Sequence, residues 1–350
     1  MTPLPTGPTM EPVRWGAFAM KFSAIGFAAC VAGLLLLGAK PALAFGTIRG
    51  LGQNAEHERI TRHALGCGLI GGGTDCFEDK SLRELAGGDD DFGAVGIPDR
   101  GQLVPANKAH CDSGDYLDIP NYPHSKADAQ TALENCRAWM VEKLDAAVDD
   151  AGDLVDAAGR LRADQLRIPC LFVGQIKGRA KCNVIEDLGI LLHASEDFYS
   201  HTNWADVADS TQPIGPENPP GLGHTGRAPW IDLRHDNPFP PGLISGCFEK
   251  PPEKSHCNYG PGDSLHRVKH AVINKDEGTI DPLVGAGTTA RGLHDDNFAH
   301  AIAAAIDDTS DKWLTFRQRL TRKYGAKTGA LMACAISHDD PVKDCQPTGG

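Results

Sequence analysis

The order of apolar and polar positions divides this chain into helical stretches separated by loops rich in glycine, proline and aspartate. From Ser125 onward, Ala132, Leu133, Cys136, Trp139, Met140, Leu144 and Val148 recur at three- and four-residue spacings, which predicts an amphipathic helix. A first helix is expected over residues 55–65, with Ile60 and Leu65 turned inward, and a short one over 153–161. Residues 184–204 carry Leu188, Leu191 and Leu192 on one side of a further helix. A last long helix, from about 295 to 322, collects Phe298, Ile302, Ile306, Trp313, Phe316 and Leu320. Residues 70–109 read as irregular. Residues 205–265 read as an ordered Pro/Gly-rich loop insertion, because Trp230, Phe239 and Phe248 need somewhere to pack. The polar tail after Asp339 is expected to be loose beyond Cys345. There is no internal repeat and no convincing strand alternation, so the class is mainly α, with a single domain over 45–350.

The N-terminal stretch changes what counts as the fold. Lys21 precedes an apolar run over 25–37, and Ala42-Leu43-Ala44 follows as a small-residue cleavage signal. Residues 1–44 therefore read as a secretory signal peptide, with Phe45 as the first mature residue and an extracellular or periplasmic destination. A retained N-terminal anchor is the other reading. Beyond this segment lie ten cysteines, an even number that suggests disulfides in an exported chain. Pairing of neighbours in order (67/76, 111/136, 170/182, 247/257, 334/345) would close five short loops. A net charge of −12 argues against stable nucleic-acid binding by broad electrostatics, and no basic run marks a membrane patch. It leaves room for a small phosphodiester-cleaving site where metal ions supply the positive charge.

The candidate chemistry centres on residues 188–204, LGILLHASEDFYSHTNW. His193, Asp197 and His201 follow at successive i, i+4 steps and so share one helix face. Two imidazoles and a carboxylate converging in this way suit a borderline metal such as zinc. The competing reading is a buried polar face satisfied by hydrogen bonds. His57, His110, His270 and Asp276 are the further candidate ligands, and Asp197, between two histidines, is placed to bridge two cations. Asp99, on the loop before His110, would be a base or substrate contact, or else a residue that shapes the turn in IPDRG.

The segment LHASEDFYSHTNW, with AEHERIT near the expected mature start and INKD downstream, resembles the secreted bacterial CinY-like and fungal Het-C-like proteins. These are similar in turn to zinc-dependent phospholipase C and the fungal single-strand zinc nucleases. The resemblance implies a helical bundle of the phospholipase C type with disulfide-pinned loops, holding two or three zinc ions. It further implies zinc ligation by the Phe45 amine and His57, by His110 with Asp99 as the loop aspartate, and by His193 with Asp197 as the bridge. Three departures stand out, the first being Phe45 in place of the usual tryptophan, although its backbone amine rather than its ring would be the ligand. Those enzymes place the next histidine six residues beyond the bridging aspartate, whereas His201 lies four beyond Asp197. Their later His-x-x-x-Glu pair has only His266-x-x-x-His270 and the INKD segment as counterparts. The implied activity is hydrolysis of a phospholipid head group or another phosphodiester, with transient contact at a membrane surface and with Asp99 or Asp197 orienting the attacking water. A non-catalytic recognition protein of the incompatibility type, and a single-strand nuclease, are the alternatives.

Overall fold

The computed structural model describes residues 45–345 except 48, 51–52, 69–75, 89–90, 101–102, 173–176, 249–256, 258–265 and 281–285. The expected signal peptide, the alternative anchor and the tail beyond Cys345 lie outside the described residues.

A two-residue antiparallel ladder, β1 (Arg49–Gly50) with β2 (Gln53–Asn54), precedes helix α1 (Glu56–Leu65). Helix α2 (Asp79–Ala86) follows within the stretch expected to be irregular. It forms because Leu82, Leu85 and Ala86 recur at helical spacing and are buried. The single turn α3 (Asn107–His110) leads to α4 (Lys126–Asp150). Ser125 caps α4, accepting from the Asp128 amide at 3.1 Å while its hydroxyl donates to the Asp128 carboxylate at 2.6 Å.

The expected helix over 153–161 is absent. A 3₁₀ turn at Ala151–Leu154 runs into a hairpin that pairs Val155 with Leu161. Gly159 takes φ 73° there, and the Asp156 carboxylate accepts from the Ala158 and Arg160 amides. Local side-chain hydrogen bonds thus outcompete helix propensity.

Helix α5 (Ala180–His201) is buried almost throughout and packs along α4 and α7 (Asn297–Tyr324). Its first amide is satisfied from outside the helix, by Gln165 Oε1 at 3.0 Å. A single turn, α6 (His270–Ile273), stands between α5 and α7, while α8 (Ala326–Ser337) and the short α9 (Pro341–Asp344) close the chain. The fold is mainly α.

Five disulfides join the cysteines in order: Cys67–Cys76, Cys111–Cys136, Cys170–Cys182, Cys247–Cys257 and Cys334–Cys345. That number fits an oxidising compartment. Among the described residues no helix is long and apolar enough to cross a membrane. The described part of 205–265 contains one 3₁₀ turn, Pro229–Ile231, yet it is firmly anchored. Asn203 bonds to Pro220, Leu222, Gly242 and Ile244, and Trp230 packs between Phe198 and Phe239.

Candidate metal centre

One face of α5 carries the site. Gly189, His193, Asp197 and His201 fall at i, i+4 steps and so line up along it. At Gly189 the 94–95 backbone comes so close that a Cβ would sit 2.4 Å from the Ala94 carbonyl carbon. This approach delivers the Val95 carbonyl to His193 Nδ1, 2.9 Å away.

Elements distant in sequence supply the rest. Helix α1 brings His57, whose Nε2 is 3.2 Å from Asp197 Oδ1. Phe45 is buried with its ring edge-on to His57, centroids 5.7 Å apart, and the Gly46 carbonyl accepts from the His57 amide. Turn α3, tied to α4 by Cys111–Cys136, brings His110, whose Nδ1 lies 3.0 Å from both Asp197 Oδ2 and His193 Nε2. His193 Nε2 is 2.9 Å from Asp197 Oδ2 and 3.8 Å from Asp99 Oδ1. At the far end, Asp276 sits between His201 Nε2, at 3.1 Å, and His270 Nε2, at 2.8 Å. The 270–276 segment is held there by buried Lys275, which donates to Asp206 and to the Thr202 carbonyl while Arg291 pairs with the same aspartate.

Eight of the nine residues singled out in the sequence thus bring their side chains together along one row, His57, Asp99, His110, His193, Asp197, His201, His270 and Asp276, and the ninth, Phe45, packs its ring against His57. His266, the other candidate downstream, does not join them; it pairs with Glu217. Asp99 sits in the turn closed by Arg100 N to Ile97 O, and its carboxylate also lines a small pocket with Val104, His110, Asp112, His201, Phe248 and His270. Sequence reasoning missed Asp112 and Glu196. Their one signal was position, two residues past His110 and directly before Asp197.

Four of the five histidines share a pattern. Each Nδ1 meets a protein acceptor: Glu196 for His57, the Val95 carbonyl for His193, the His110 carbonyl for His201 and Asp112 for His270. The carbonyl acceptors fix Nδ1–H on His193 and His201, the carboxylates behind His57 and His270 favour it there, and all four Nε2 atoms are turned toward Asp197 or Asp276. Distances alone also group Asp112 with His201 and His270 as a possible cation site. The His201 Nδ1, however, is already committed to the His110 carbonyl at 2.6 Å, so Asp276 is the carboxylate that faces the Nε2 atoms of both rings.

The charge balance is demanding. Asp197 is completely buried, yet His193, His201 and His57 hold it well below the usual carboxylate range against the cost of burial. Burial opposes a proton on His57, but Asp197 and Glu196 outweigh it and push the ring up to about 10. Asp112 and Asp276 likewise overcome burial and raise His270 to about 9. His193, held down chiefly by burial, favours the neutral form. Protons alone leave the site badly satisfied: His57 Nε2, His110 Nε2, His201 Nε2, Asp197 Oδ1 and Asp99 Oδ2 are buried without an aligned hydrogen-bond partner. Buried ligand-type atoms aimed at one another are what bound cations would satisfy. His57, His193 and Asp197 form one group that could hold a metal ion, and Asp99, His110 and His193 another. Cys334, His338 and Cys345 also lie close together, but the two sulfurs are consumed in a disulfide. No family model, curated protein or solved structure matches this chain.

Proposed function

We propose that this chain is an exported, zinc-dependent phosphodiester hydrolase of the phospholipase C type, most suited to phospholipid head groups. The observation that carries the reading is the shared ring orientation, Nδ1 on a protein oxygen, which turns the Nε2 atoms of His57, His193, His201 and His270 onto two buried carboxylates. The spacing supports zinc. Tetrahedral ligands about 2.0–2.1 Å from zinc lie about 3.3 Å from each other. The His57–Asp197, His193–His110 and His201–Asp276 atom pairs are 3.2, 3.0 and 3.1 Å apart.

Three positions follow along the row. The first would use His57 and Asp197 Oδ1, joined by the Phe45 amine once residues 1–44 are removed. The second would use His110, His193 and Asp197 Oδ2, with Asp99 beside them. The third would use His201, His270 and Asp276. His201 thus finds its partners in Asp276 and His270, which offsets its shortened spacing from Asp197.

When bound, zinc would supply Lewis acidity and lower the pKa of water. The chain's own part would be to present Asp99, His110, His201 and His270 at a small opening beside Val104 and Phe248, with space for about one water that Asp99 would orient. The net charge of −12 favours a small ester over a polymeric nucleic acid.

Elemental analysis of the mature protein tests the metal reading, with two or three zinc per chain expected and fewer than two refuting it. Hydrolysis of p-nitrophenylphosphorylcholine, compared with single-stranded DNA, then separates lipase from nuclease. A zinc-loaded protein inactive on both would favour the recognition reading.

A further inference from the structure

Glu196 has no place among the ligands above, although it stands next to Asp197 on α5 and is completely buried. Its Oε2 accepts from His57 Nδ1 at 2.6 Å. Its Oε1 accepts from Thr61 Oγ1 at 2.8 Å and from Thr309 Oγ1 at 2.9 Å. Three donors, two from α1 and one from α7, therefore converge on one carboxylate where three helices meet. An ionised carboxylate in such a place costs several kcal/mol unless its hydrogen bonds are complete, and here both oxygens are engaged. His193 makes do with the neutral Val95 carbonyl, while His201 and His270 share one carboxylate, Asp112, at 3.3 and 3.1 Å. His57, at the end of the row, has a carboxylate of its own behind it, Glu196.

We propose that Glu196 is a positioning residue for the metal position at His57, holding the ring with Nε2 toward Asp197 and strengthening it as a ligand. The inference rests on the metal reading above. The hydrogen bond from Nδ1 fixes both tautomer and ring rotation, and the negative charge behind the ring makes Nε2 a better electron donor. Thr61 and Thr309 keep the carboxylate from turning away. Glu196 touches neither Asp197's ligand atoms nor the pocket at the other end of the row, so its effect should be confined to one ion.

The test uses the mature full-length chain, stripped of metal and titrated with Zn2+, and with Co2+ as an absorbing substitute. Glu196→Gln should weaken one ion by about 10–100-fold and leave the others unchanged. In the metal-free protein the low-field proton on His57 Nδ1 should move upfield in the same variant. Thr309→Val, which keeps the charge and removes one hydrogen bond, should weaken the same ion less, and it stands in if Glu196→Gln does not fold. Unchanged affinities, or a loss spread evenly over all ions, would overturn the positioning role. Failure of the unsubstituted protein to take up metal would instead remove the metal reading beneath it.

Discussion

Replacing Gly189 with alanine sets two effects of opposite sign against each other. In an open helix interior the change would stabilise by about 1 kcal/mol. At Gly189 the new Cβ would meet the Ala94 carbonyl carbon and Cβ at 2.4 Å and the Val95 nitrogen at 2.6 Å. Ordinary contact starts at 3.4 Å, so the neighbouring strand of chain must retreat by about 1 Å. It is backbone, pinned by hydrogen bonds from Ala94 N to Glu84 O at 2.8 Å and from Val95 N to Leu85 O at 2.9 Å, and it cannot swing aside as a side chain would. Overpacking of this kind costs about 1–3 kcal/mol, and a loosened buried hydrogen bond adds about 1 kcal/mol. The clash outweighs the propensity gain, leaving Gly189→Ala about 1–3 kcal/mol less stable. The same retreat draws the Val95 carbonyl from His193 Nδ1, so zinc affinity should fall as well. Urea unfolding of the metal-free, disulfide-intact protein measures the first effect at constant m-value, and zinc titration the second. A variant as stable as the parent, or more so, would refute the close-approach argument.

Asp197→Asn should leave the helical circular dichroism intact and cut bound zinc to at most one ion per chain, since Asp197 lies 3.2 Å from His57, 2.9 Å from His193 and 3.0 Å from His110. Retention of two or more ions by elemental analysis would remove its bridging role. Zinc uptake at pH 7 should release protons into a weakly buffered indicator solution, because His57 and His270, raised to about 10 and about 9, are protonated in the metal-free protein and must be neutral to ligate. By the same shifts, the metal-free protein gains stability from both protonated rings below their unfolded value of 6.5 and loses it as pH rises toward 9–10. Uptake without proton release, or metal-free stability that climbs over that range in chemical unfolding, would contradict the assignment.

Much of the site was legible because its residues carry unusual chemistry at helical spacing. His193, Asp197 and His201 announce one face, and the cysteines, paired in order, could be read as short loops. The fold was legible where an apolar stripe is long, as in α4, α5 and α7. It was not legible where local hydrogen bonding decides. The hairpin around Asp156 and Gly159 overrides a helical pattern, and α2 hides its Leu82/Leu85/Ala86 stripe between glycine-rich loops. Glu196 and Asp112 escaped notice for a different reason. A carboxylate that orients a ligand has no spacing rule of its own, because its partner comes from another part of the chain: Glu196 from α5 meets His57 from α1, and Asp112 meets His270.

The length of the row on α5 bears on how many ions it would serve. From His193 to His201 the helix rises about 12 Å, whereas ligands of a single zinc lie about 3.3 Å apart. Asp197, midway, lies 2.9 Å from His193 Nε2 through Oδ2 and 3.6 Å from His201 Nε2 through Oδ1. Each end of the row then needs partners from elsewhere, which are found at His110 and Asp99 for one and at His270 and Asp276 for the other. A mononuclear site would have no use for this second set. On the reading proposed above, Asp197 would serve the positions at His57 and His193 through its two oxygens, while His201, four residues on, turns to Asp276 as its carboxylate.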